Sequence, residues 1–99
     1  MNPKTKARIK RALYEHKPYT FRSHHYLARM VMCIAHNRSW RFNFGAVARA
    51  HSHWGRQVVY DGKFQESTKL LGDLLMPTPL KDITADIIEN AWTMLELMK

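Results

Sequence analysis

The chain has one cysteine, Cys33, in 99 residues. An internal disulfide is therefore excluded, and a lone thiol fits a reducing cytosol. The four glycines form no phosphate-cradling loop. No apolar run approaches the roughly 18 to 20 residues that a membrane span needs. The basic stretch Lys4 to Arg11 is not followed by the apolar core of a secretory signal, so a cytoplasmic location is expected. Acids are scarce in the first half, where Glu15 is the single carboxylate among residues 1–50. A paired-acid mechanism therefore has no evident site there. Internal repeats and low-complexity tracts are also lacking.

What is present is an ordinary apolar fraction, 45 %, and a formal net charge of +8. That composition speaks against wholesale disorder. The length allows one compact domain, taken as 1–99. The charge is not evenly spread. Residues 1–50 hold eleven Lys or Arg against Glu15, a net of +10. Residues 51–99 hold five bases and seven acids, a net of −2. All six histidines fall at or before His53. The domain thus divides into a basic helical half, 1–56, and a neutral-to-acidic helical half, 57–99. A basic half attracts polyanions, either nucleic acid or an acidic protein surface. The plain alternative is a basic soluble protein with no such partner.

Asn2-Pro3 reads as a helix cap followed by proline at the first helical position. The spacing predicts a helix from Pro3 to about His16, with Thr5, Ile9, Ala12, Leu13 and His16 on one side and Lys4, Lys6, Arg8, Lys10 and Arg11 around the rest. Pro18 then forbids continuation. Ser23 is the expected cap of a second helix running to about His36, with Asn37 as its stop. Tyr26, Leu27, Met30, Val31 and Ile34 form its apolar stripe. Trp40, Phe42 and Phe44 alternate with Arg41 and Asn43, which fits a short strand or an extended loop. Asn43 can cap a third helix to Trp54, ended by Gly55. Asp61-Gly62 signals a hairpin near residues 57–65, although a continuing helix fits nearly as well. Ser67 is the expected cap of a short helix holding Leu70, Leu71, Leu74 and Leu75. Met76-Pro77-Thr78-Pro79 is a rigid break. Thr78 and Pro79 then open a last helix with the stripe Leu80, Ile83, Ile87, Ala91, Met94 and Met98, widened by Ile88, Trp92 and Leu95. The expected fold is a mainly α bundle of about four to five helices.

The clearest surface feature is the basic row Arg22, His25, Arg29 and His36, spaced to share one helix face. Together with Lys6, Arg8, Lys10, Arg11 and Arg41 it is the candidate polyanion or partner surface. Trp40, Phe42, Phe44 and Trp54 lie among Arg38, Arg41, Arg49 and Arg56. They can stack single-stranded bases or, as is commoner, form core. Val47-Ala48, Ser52 and Val58 partly match helix-turn-helix spacing. Against that, His53 takes an apolar position, and the glycines at 55 and 62 would each cost about 1 kcal/mol in the recognition helix. Cys33-x-x-His36 and His51-x-His53 lack the paired-turn form of a zinc site, so no metal is expected. No cofactor and no enzymatic activity are expected. Met76, Pro77, Pro79 and Trp92 are candidate partner contacts, and a cis bond before either proline would make the segment a prolyl-isomerisation site.

The basic opening Asn2 to Arg11, the His/Arg helix Ser23 to His36 and the Trp/Met-rich C-terminal helix together resemble small phage-encoded accessory proteins. Within that group the nearest likeness is to lambdoid-phage anti-RecBCD proteins. It covers the whole chain in size and basic helical character, and it carries over no functional residue. The resemblance implies binding to the host RecBCD helicase–nuclease in the host cytoplasm. It implies inhibition or modification of that enzyme's action on DNA ends, favouring phage DNA protection and recombination by contact alone. The alternative is a direct DNA- or RNA-binding module, such as a phage transcriptional regulator.

Overall fold

The computed structural model describes residues 1–17, 21–37 and 62–98. They form four α-helices: α1 (Pro3–Glu15), α2 (His24–Ala35), α3 (Gly62–Leu75) and α4 (Ala85–Leu97), with a 3₁₀ turn at Leu80–Asp82. There is no strand among the described residues. The architecture is a small helical bundle. The predicted strand or loop at 39–44, the helix 46–54, Arg41, His51 and His53 lie outside the described residues, as does the first part of the hairpin.

Two caps stand where the sequence places them. Asn2 accepts a hydrogen bond from the Lys4 N–H at 2.8 Å, with Pro3 opening α1. Ser23 accepts from the Tyr26 N–H at 3.2 Å. Each satisfies one of the amide donors that a helix start leaves without a partner. Asn37 ends α2 in the left-handed region, φ 55°, and its N–H donates to the Ile34 carbonyl at 3.2 Å. Asparagine tolerates that conformation better than most residues.

Two starts differ from expectation. Helix α3 begins at Gly62, so residues 62–65 are helical and Ser67 is an interior residue rather than a cap. Lys63, Gln65 and Glu66 are sound helix formers, and their propensity outweighs the turn signal of a single glycine. Helix α4 begins after Thr84, whose hydroxyl accepts from the Ile87 N–H at 3.3 Å. Thr78 and Pro79 belong instead to the connector. The buried stripe also differs from expectation. Ala85, Ile88, Ala91 and Leu95 are buried, while Met94 and Met98 are exposed and Ile87 and Trp92 are half-buried. Apolar residues occupy most of the wheel of α4, so periodicity alone does not choose the inner side.

Helix α2 is the centre of the bundle. Leu27, Ala28, Met30, Val31, Met32, Cys33 and Ile34 are all buried. A helix apolar around most of its circumference has to be enclosed by its neighbours. Ile9, Ala12 and Leu13 of α1, Phe64, Leu71 and Leu75 of α3, and Ile88 and Leu95 of α4 complete the same core. Fully burying side chains of this size contributes about 1.5–3 kcal/mol each.

Helices α2 and α3 run antiparallel. His25 meets Asp73 at one end, and His36 packs against Phe64 at the other. Their approach depends on Gly72. A Cβ added there would overlap the His25 ring, at 2.7 Å from Cγ. Glycine inside a helix ordinarily costs up to about 1 kcal/mol relative to alanine. Here the missing Cβ makes room for the ring. Gly72→Ala is therefore expected to destabilise the protein by about 1–3 kcal/mol in urea denaturation, reversing the usual helix preference. In a His25→Ala background the same change is expected to be neutral or stabilising, and equal penalties in both backgrounds would contradict the contact.

Candidate functional site

Helix α1 presents most of the described positive charge of the N-terminal half. Lys4, Arg8, Lys10 and Arg11 are exposed, and Lys17 follows just past its end. Steps of three and four align Lys4, Arg8 and Arg11 in one row and place Lys10 and Tyr14 in the next. Tyr14 is 80 % exposed, and the Lys17 ammonium lies 5.6 Å from its ring centroid. Tyr14 is not among the residues the sequence singles out. The signal was present, because position 14 falls on the polar side of a helix that buries Ile9, Ala12 and Leu13.

Several of the predicted cations also hold the bundle together. Lys6 bridges two α4 carboxylates, Asp86 at 2.7 Å and Glu89 at 3.1 Å. The hydrogen bond from Lys6 holds the Asp86 carboxyl below its ordinary range, with Lys10 adding a weaker pull. The hydrogen bonds to Asp86 and Glu89 raise the Lys6 ammonium in turn. Arg8 donates to Asn37 Oδ1 at 2.9 Å and reaches the Ile34 carbonyl at 3.4 Å, so it ties α1 to the end of α2. A cation beside those carbonyls also suits the negative end of the helix dipole. Arg11 pairs with Glu15 at 3.3 Å, yet its side chain stays 83 % exposed.

The basic row on α2 does not form one continuous cationic track. Arg22 and Arg29 both lie against Tyr26, at 5.6 and 4.6 Å from its ring centroid. Arg29 is half-buried, and desolvation lowers its pKa. The His25 ring donates a hydrogen bond from Nε2 to Asp73 Oδ1 at 2.8 Å. The His36 ring packs against Phe64, with centroids 5.7 Å apart. His36 is eleven residues beyond His25, about 16 Å along the helix. The structure therefore gathers Arg22, His25 and Arg29 at the start of α2 and sets His36 apart.

The proposed contact segment is exposed but braced. Met76, Pro77 and Pro79 face solvent. The Thr78 N–H donates to the Leu75 carbonyl at 3.0 Å, and His24 Nε2 donates to the Thr78 carbonyl at 2.6 Å. Both proline bonds are trans, so the segment is a rigid connector, not a cis-proline site. Trp92 packs against the core and is only partly available. In its place α4 displays Met94, Leu97 and Met98, which are 53, 81 and 57 % exposed and spaced to touch one another. Leu97 is not among the residues the sequence singles out, because the packing of Ala85, Ile88, Ala91 and Leu95 into the core, and not periodicity, decides which side of α4 faces out.

Cys33 is buried in the core. Among the described residues no group of three His, Cys, Asp or Glu side chains could hold a metal ion. No described helix is long and apolar enough to cross a membrane. No family model, curated protein or solved structure matches the chain.

The Lys6 bridge makes stability depend on pH. A carboxylate whose folded pKa is depressed contributes stability above its unfolded pKa and loses it as pH falls through the folded value. Asp86 is expected to titrate below the ordinary aspartate range by carbon-13 NMR, and to move back up in Lys6→Ala. An unchanged Asp86 titration in that variant would remove the bridge as the cause.

Proposed function

We propose that the chain is a phage-type accessory protein that acts by contact, docking on a host DNA-processing enzyme and altering its action. The RecBCD helicase–nuclease is the target to which the sequence resemblance points. The observation that carries the docking reading is the row Met94, Leu97 and Met98, exposed near the end of a helix whose Ala85, Ile88, Ala91 and Leu95 pack into the core. Methionine and leucine at helical spacing form an adaptable apolar anchor for a groove on another protein. Lys4, Lys10 and Arg11 supply positive charge that steers approach to an acidic surface. Met76 and the two exposed prolines add a rigid edge.

The experiment uses purified chain and purified RecBCD in nuclease-treated buffer, with binding read by calorimetry and RecBCD action read on linear DNA. The double change Leu97→Glu with Met98→Glu is expected to weaken binding by about tenfold or more, equivalent to about 1.4 kcal/mol. Both side chains are exposed, so the thermal midpoint is expected to stay nearly constant. No binding of the unaltered chain at micromolar concentration, or full binding by the double variant, would sink the reading.

A further inference from the structure

We propose that the outward side of α1 is a binding surface for single-stranded nucleic acid, on which Tyr14 stacks a base and Lys10, Arg11 and Lys17 contact phosphates. Phe21, Tyr26 and Trp92 are half-buried and Phe64 is buried, whereas Tyr14 is 80 % exposed. Folding gains little from it, since lysine or glutamate at a solvated helix position has the better helix propensity. Cations lie on both sides of it along the chain, Lys17 with its ammonium 5.6 Å from the ring centroid. Lys10 is one turn before it, Arg11 is three residues before it, and Lys17 is three residues after it. Lys4 and Arg8 continue the positive charge toward the start of the helix, so the strip runs the length of α1, about 20 Å. The acids that border it are matched within the fold. Glu15 meets Arg11, and Asp86 and Glu89 meet Lys6.

The composition of this side selects its partner. A helix that docks in a protein groove offers several apolar anchors at steps of three, four and seven. The outward rows of α1 offer one ring, set among charges. A ring that can stack any base, with cations on either side to follow a backbone, is the arrangement that binds single strands without sequence preference. Duplex DNA keeps its bases stacked internally and would use only the cations. This surface shares Lys10 and Arg11 with the steering charge of the docking reading, but Tyr14 belongs to it alone, so the Tyr14 variants test it separately from the apolar row of α4.

The test measures fluorescence anisotropy of a labelled 20-nucleotide oligothymidine with the full chain across a series of salt concentrations. Binding is expected to weaken steeply with salt. Tyr14→Ala is expected to lower affinity by at least about fivefold with the salt slope unchanged, and Tyr14→Phe to restore it. Lys10→Gln with Lys17→Gln is expected to reduce the slope by about 1.4 while leaving the thermal midpoint in place. Four results would each overturn the proposal. They are no binding at low salt, equal affinity of Tyr14→Ala and the unaltered chain, equal binding of a duplex of the same length, and tighter Tyr14-dependent binding of a polyaspartate peptide than of the oligonucleotide.

Discussion

The burial of α2 is the constraint on which the rest of this structure depends. From Leu27 to Ile34 only Arg29 escapes full burial. A helix so uniformly apolar has no stable place at a surface, because each exposed leucine, isoleucine or methionine would forgo the free energy of leaving water. Helices α1, α3 and α4 each contribute residues to the core built around it. Their buried faces would have little to pack on without it. The Gly72 contact follows from the same demand. Helix α3 comes close enough to α2 for the His25 ring to fill the space where a side chain would stand.

Charge serves two purposes in this arrangement. Some cations act inside the fold. Lys6 joins α1 to α4 and Arg8 joins α1 to the end of α2, while the His25 ring joins α2 to α3 by a hydrogen bond. Interactions of this kind, at or near the surface, add little stability each. They tie neighbouring helices together at the rim of a core that burial has already arranged. The remaining cations on α1 are displayed, with Tyr14 between them. The basic half of the chain is thus a set of clamps plus a strip along α1, rather than one continuous positive face.

Most of the described secondary structure was legible in the residues. Asn2-Pro3 and Ser23 are capping signals with a direct physical basis, and Asn37 is a stop signal of the same quality. The misreadings cluster in the C-terminal half. Ser67 resembles a cap as well as Ser23 does, but the residues before it favour helix and carry α3 back to Gly62. Thr78-Pro79 and Thr84 are both plausible starts for α4. The choice between them falls to the 3₁₀ turn at Leu80–Asp82 and to the bonds that brace the connector. The candidate site was read less well than the fold. Spacing placed Arg22, His25, Arg29 and His36 on one side of a helix, and the neighbours of that side then engaged each of them differently.

What the sequence determined alone was the identity of the helices, the location of their first caps, and the concentration of positive charge in the N-terminal half. Those properties are local: they depend on a residue and its neighbours within a turn or two. The tertiary structure decided which apolar residues are inside and which cations are held by partners. It buried Met32 and Cys33, left Met94, Leu97 and Met98 exposed, and drew Lys6 to Asp86 across eighty residues of chain. Burial and pairing are set by what a distant segment brings to the same place. A single cysteine and scarce N-terminal acids limit the chemistry that can occur. Only the packing around α2 turns the remaining residues into a surface with an exposed ring, a cationic strip and an apolar row.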